Sequence, residues 1–122
     1  MESRFFDSDV ILGVSTNEER FRGFAGAQGA TTRLNLMEVY YILKRGGKNA
    51  REVFLECLPN VIEFTNEELM AAMDWRSEHF QKRTRDFSYV DALGYQVARS
   101  HGLTFTTGDR KFTGYPGVTV VG

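Results

Sequence analysis

The sequence predicts a three-layer α/β/α domain built on a central parallel sheet of about five strands. Two observations carry the prediction. Short apolar runs alternate along the chain with longer stretches of helical periodicity, so helical crossovers join the strands and cover both faces of a parallel sheet. Acids also stand directly after the first and fourth of these strands, Asp7 and Asp109. That places both at the carboxyl edge of the sheet, where ligands of such folds bind.

The elements follow in order. Arg4–Phe6 reads as the first strand and 8–14 as a short helix. Ser15 with Glu18 has capping-box spacing and is expected to start a second short helix over 15–24. The glycine-rich run 23-GFAGAQGA-30 breaks the pattern before a candidate strand over 31–34. A helix is expected over 35–45, stopped by Gly46 and Gly47, and another over 49–58, closed by Pro59. Residues 61–64 read as a strand. Thr65 with Glu68 forms a second capping box, opening a helix expected to run to about Arg83. The run 87-FSYVDALGYQVA-98 continues as a helix to Ser100 with Gly102 as its stop, and 103–106 and 118–121 are the last two strands.

A chain of 122 residues makes one domain, 1–122, long enough for a core without staples. Its hydrophobic content of 42% and charged content of 25% are those of an ordinary globular protein, and a net charge of −1 shows no gross basic bias. Removing Asp7, Glu38, Asp91 and Asp109 from the 16 acids leaves 12 against 15 bases, so a weakly basic surface around an acidic hole fits the composition. Cys57 is the single cysteine, which excludes an intrachain disulfide and suggests a buried thiol in a reducing compartment. No apolar run approaches the about 20 residues of a membrane span, and no secretory pattern opens the chain. A cytoplasmic protein with no membrane association is expected.

Each of the four acids has a plain local reading. Asp7 suits the N-cap of the helix beginning at Ser8, with Asp9 as a rival cap or supporting acid. Asp91 stands three residues after Ser88, as in a capping box, and favours the helix dipole. Asp109 suits the turn in 107-TGDRK-111. Glu38 falls among apolar residues on its helix, between Tyr41 and Ile42 on the helical wheel, and so must be paired, metal-bound or neutral unless it lies on a thin solvent strip. Taken together, the four supply the oxygen ligands and charge that a hard divalent cation requires. Converging carboxylates repel one another, a cation relieves the repulsion, and it can then activate water and clamp a phosphate. Arg110, Lys111 and the run 81-QKRTR-85 are bases suited to a phosphate substrate or simply to a solvated surface.

Four motifs in this order resemble the PIN domain, the nuclease domain of VapC toxins in VapBC toxin–antitoxin pairs: 7-DSDVIL-12, 34-LNLMEVYYIL-43, 91-DALGYQVA-98 and 107-TGDRKF-112. The resemblance spans essentially the whole chain. It implies that Asp7, Glu38, Asp91 and Asp109 hold Mg²⁺ or Mn²⁺, that Thr107 helps order the site, and that Ser8 occupies the position after the first acid. It also implies RNA hydrolysis by a metal-activated water, a homodimer, and a cognate antitoxin that fills the site. The chain departs from the family in its short, glycine-rich segment between Asp7 and Glu38, a region that contacts the antitoxin in relatives.

Within the resemblance, a processing or decay nuclease and a non-cutting scaffold are alternatives to a toxin. A phosphoacceptor receiver domain has similar length and sheet, but it needs an Asp at the end of its central strand, and 61-VIEF-64 offers none. It also needs a Lys after its last strand, and it does not use acids carried on helices. Leu69, Met70 and Met73 are expected in the core or at a dimer surface, Trp75 and Phe80 in packing, and His79 and His101 in structural roles.

Overall fold

The computed structural model describes residues 3–122. Three strands, β1 (Arg4–Phe6), β2 (Thr104–Thr107) and β3 (Val118–Val120), form a parallel sheet in the order β1-β2-β3. The two other expected strands are each reduced to one bridge, Ala30 beside Phe5 and Thr31 beside Val61, both parallel. They extend the sheet beyond β1 without forming strands. The cause is local: Thr32 caps helix α2 (Arg33–Arg45) by accepting from the Asn35 amide, so the chain turns helical before a ladder can grow. On the other side, Thr65 soon caps α4 (Asn66–His79), where the expected capping box with Glu68 forms in full.

The remaining helices are α1 (Ser8–Ser15), α3 (Ala50–Cys57) and α5 (Tyr89–Ser100). Short 3₁₀ turns occupy Glu19–Phe24, Leu58–Asn60 and Arg110–Phe112. The Ser15–Glu18 capping box does not form. Ser15 belongs to the end of α1, where its hydroxyl donates back to the Ile11 carbonyl, and Asn17 takes the left-handed conformation (φ 58°) that ends the helix. Helix α4 stops at His79 because Phe80 is extended and the Gln81–Arg85 turn closes on itself by an antiparallel bridge. Gly102, at φ 68°, ends α5 as expected.

Successive side chains of β1 point to opposite faces, and each seeds one core. Phe5 joins Phe105, Phe87, Phe112, Leu93 and Val97 beneath α4 and α5. Phe6 joins Val10, Ile11, Phe21, Leu36 and Val39 among α1, α2 and α3. Burying each of these large side chains contributes about 1.5–3 kcal/mol. Helix α5 lies close on the sheet because of its small residues: a Cβ at Gly94 would stand 3.1 Å from the Phe5 ring and 3.4 Å from Phe105. Trp75 packs among Phe87, Tyr95, Phe112 and Tyr115, as expected. Met73 is packed against the core, but Leu69 and Met70 are exposed. Cys57 is half-buried rather than buried. Among the described residues no helix is long and apolar enough to cross a membrane.

Candidate metal centre

The ends of β1 and β2 and the first turns of α1, α2 and α5 meet at one edge of the sheet. Asp7 follows β1 directly, and its amide donates to the Thr106 carbonyl of β2 at 3.0 Å. Its carboxylate is buried. Oδ1 accepts from the Ser8 amide at 2.9 Å, which caps α1, and Oδ2 accepts from the Thr107 hydroxyl at 2.8 Å. Thr107 Oγ1 in turn accepts from the Asp109 amide at 3.0 Å, so one buried hydroxyl ties two of the acids together. Asp109 caps the 3₁₀ turn after β2 by accepting from the Lys111 amide at 2.9 Å, and Lys111 Nζ stands 3.4 Å from its other oxygen.

Asp91 closes the capping box of α5. Its Oδ2 accepts from the Ser88 amide and its own amide donates to Ser88 Oγ, both at 3.0 Å. The plain readings of Asp7, Asp91 and Asp109 are therefore all realised. They coexist with mutual repulsion, since the charge of Asp91 acts on Asp7 and that of Asp109 acts on Asp91.

Glu38 reaches the group through a relay. Ser8 Oγ donates to Glu38 Oε1 at 2.7 Å, and Asn35 Nδ2 donates to Ser8 Oγ at 3.0 Å and to Asp7 Oδ1 at 3.5 Å. Thr32 Oγ1 fixes the Asn35 amide from the other side at 2.7 Å. The wheel neighbours Tyr41 and Ile42 do not enclose Glu38: they face solvent, 59% and 50% exposed. Glu38 is half-buried because it lies along the boundary between that face and the buried Asn35–Val39 side.

Electrostatics set Asp7, Glu38 and Asp91 apart. Burial pushes Asp7 well above the usual carboxylate range, and the neighbouring charges of Asp91 and Asp9 add to the rise against hydrogen bonds from Thr107 and Ser8. Burial likewise raises Asp91 against its Ser88 bonds, with Asp109 adding repulsion. It raises Glu38 against its Ser8 bond, with Asp91 adding repulsion.

Asp9 is the fifth acid, and the sequence weighed it only as a rival cap or support. It is pushed up to about 6, mainly by burial, opposed by the Gly108 amide that donates to its Oδ2 at 2.9 Å. Its Oδ1 is the one buried side-chain polar atom among the described residues that lacks a hydrogen-bond partner. Such an atom costs free energy unless something absent from the chain satisfies it. Asn35 was missed altogether. Its signal was present in the spacing Thr32, Asn35, Glu38, three residues apart on one helix face.

Buried, mutually repelling carboxylates with an unpartnered oxygen fit a divalent cation by donor chemistry. Among the described residues, however, no three acidic, histidine or cysteine side chains are drawn together closely enough to hold one ion as they stand.

On its far side the cluster is walled by the 3₁₀ turn Glu19–Phe24. Arg20 donates to the Gly108 carbonyl at 3.2 Å and pairs with Glu18 at 2.8 Å. Phe21 is fully buried against two glycines: a Cβ at Gly13 would stand 1.9 Å from its ring, and one at Gly108 would stand 2.7 Å from it.

The fold and site together define a parallel α/β domain with a cluster of acids at the carboxyl edge of its sheet. Residues 4–118 match the PIN domain, and the chain belongs to that family. No curated protein matches it. Among solved structures it is similar to a toxin–antitoxin complex from Klebsiella pneumoniae, with a TM-score of 0.79 at 20% identity over 97% of each chain. It is also similar to VapC20 of Mycobacterium tuberculosis, a sarcin–ricin loop cleaving toxin, with a TM-score of 0.72 at 18% identity over 98% of this chain and 100% of that one.

Proposed function

We propose that the chain is a cytoplasmic endoribonuclease, dependent on Mg²⁺ or Mn²⁺, that acts as the toxin of a toxin–antitoxin pair. The observation that carries the reading is the group of buried, like-charged acids at the sheet edge, with Asp9 Oδ1 unsatisfied among them. Asp7, Glu38, Asp91 and Asp109 would hold the cation. When bound, a divalent cation supplies a water of lowered pKa and neutralises phosphate oxygens during in-line displacement.

The chain's own residues do the positioning. Thr107 orients Asp7 and the Asp109 backbone through one hydroxyl, and the Asn35–Ser8 relay holds Glu38 toward the cluster. Lys111 offers positive charge beside Asp109, where an RNA phosphate would approach. Family membership and the likeness to two toxin structures support the reading. A cognate antitoxin and a second copy of the chain are its expected protein partners. The exposed apolar residues Tyr41, Ile42 and Leu55 on α2 and α3, and Leu69 and Met70 on α4, are surfaces suited to them.

The test uses purified, antitoxin-free protein and a labelled mixed RNA pool in Mn²⁺ or Mg²⁺, with EDTA and Asp91→Asn as controls. Metal-dependent cuts that vanish in the variant support the reading, because Asn retains an oxygen to cap α5. If RNA stays intact and the protein also fails to bind Mn²⁺, the nuclease reading is wrong and a non-cutting scaffold takes its place.

A further inference from the structure

A second feature lies one side chain away from the acid cluster. The Gln81–Arg85 turn and residues Thr113–Tyr115 enclose an open pocket of about 390 Å³, toward the small end of the about 300–1,000 Å³ typical of ligand sites. Tyr115 forms an aromatic wall, its hydroxyl 3.2 Å from His79 Nδ1, and His79 is itself stacked on Trp75. Glu78 and Gln81 stand at the rim. The Thr84 hydroxyl donates to Gln81 Oε1 at 2.9 Å, which leaves the amide nitrogen as a donor.

Arg85 joins this pocket to the acids. Its guanidinium lies 4.8 Å over the Tyr115 ring, and its Nη1 donates to the Lys111 carbonyl at 3.0 Å. Lys111 Nζ bridges the Asp86 carbonyl at 2.9 Å and Asp109 Oδ2 at 3.4 Å. The two basic segments, far apart in sequence, are thus joined into one ridge of bases between the acid cluster and the pocket.

We propose that this pocket reads one base of the RNA strand on which the acid cluster acts, with the intervening phosphate held on the Arg85–Lys111 ridge. The proposal rests on the nuclease reading for the identity of the strand. Its chemistry is that of single-stranded RNA recognition: an unstacked base against aromatic and guanidinium planes, its edge read by an amide and a carboxylate. A free anion would need only the ridge, whereas an aromatic wall flanked by Glu78 and Gln81 suits a flat ligand with both donors and acceptors.

The experiment measures binding of short labelled oligo(A), oligo(C), oligo(G) and oligo(U) by fluorescence anisotropy in EDTA, for the native protein and for the double variant Glu78→Ala/Gln81→Ala. Both residues are exposed, so the variant is expected to fold, and a thermal melt confirms it. The native protein is expected to prefer one base by at least about fivefold, and the variant to lose that preference while still binding through phosphate contacts. Equal affinity for all four oligonucleotides, or a preference the variant retains, overturns the pocket. A parallel cleavage assay in Mn²⁺ separates the two ideas. Cutting without a pocket-dependent preference sinks the pocket alone. A preference without cutting and without Mn²⁺ binding keeps the pocket and overturns the nuclease. Neither binding nor cutting overturns both.

Discussion

Helices α4 and α5 begin with the same device and end up in opposite electrostatic states. In each, a hydroxyl N-cap accepts from the third residue's amide while that residue's carboxylate accepts from the cap's amide: Thr65 with Glu68, and Ser88 with Asp91. Burial raises both acids. At Glu68 it is outweighed by hydrogen bonds from Ser100 and Thr65 and by His101 at 3.3 Å, and the carboxyl falls below its ordinary value. At Asp91 the Ser88 bonds do not offset burial and the repulsion of Asp109, and the carboxyl rises. A capping box is therefore no measure of what its acid is for. The surroundings decide whether the charge is at rest or held at a cost that a cation can relieve.

Four experiments break or sharpen that contrast. The largest effect is on RNA cleavage. Asp91→Asn is expected to lower the cutting rate by more than the about 10–100-fold typical of losing an outer partner of a metal site, while Glu68→Gln leaves the rate within about twofold. Comparable losses in both variants, measured by single-turnover cleavage, would mean that Asp91 serves only its helix.

Next comes Thr107→Val, which leaves buried Asp7 Oδ2 without its donor and the Asp109 amide without its acceptor. A cost of about 1–3 kcal/mol in urea unfolding is expected. No change would show that the hydroxyl does not hold the two acids.

Third, in EDTA the caps should part company. Glu68→Ala is expected to cost about 1 kcal/mol. Asp91→Asn is expected to raise the melting temperature by about 3 °C, through relieved repulsion.

The smallest effect is the pH trend of the metal-free protein. Asp9 is raised to about 6, and Asp7, Glu38 and Asp91 are raised as well, so the folded state binds protons more readily than the unfolded chain. The charged form of Asp9 opposes folding above about pH 6, those of Asp7, Glu38 and Asp91 act in the same direction, and the penalty is relieved as pH falls through their raised values toward the ordinary carboxylate range. Melting temperature in EDTA is thus expected to rise from pH 7 to pH 5. With saturating Mn²⁺ it should fall over the same range, as protons compete for the ligands. A metal-free protein that loses stability from pH 7 to pH 5 would show that the acids carry no such penalty.

The positions of the four acids could be read from the sequence because Asp7 and Asp109 directly follow strands, Glu38 and Asp91 interrupt apolar helices, and the four motifs keep their order. Asn35 is harder to read: its spacing with Thr32 and Glu38 marks one helix face, but a polar residue in a first turn reads as surface until its partners are known, and those partners, Asp7 and Ser8, come from the start of α1. Strand length failed for a related reason. Residues 31–34 and 61–64 have strand composition, but Thr32 and Thr65 cap helices, and capping competes with the ladder for the same backbone. The sequence predicts α4 too long because Lys82 and Arg83 are good helix formers, and nothing local announces the extended Phe80 or the bridge that shuts the turn after it. The box at Ser15 and Glu18 had the right letters but lay at the end of a helix, where Ser15 was already bonded to the turn behind it.

Phe21, pressed between Gly13 and Gly108, has a consequence for how this chain tolerates change. A methyl group at either glycine collides with a ring that has no room to retreat, and Gly108 lies between Thr107 and Asp109. A saturation scan should therefore find that neither position accepts a side chain, and at Gly108 the damage should reach activity as well as folding. Gly23, in the neighbouring run, has open space where a side chain would go and should accept nearly anything. The glycine-rich stretch reads as the loose part of the sequence, yet it is mixed: a Cβ at Gly29 would stand 2.5 Å from the Phe6 ring, so that glycine is as strict as the two on either side of Phe21.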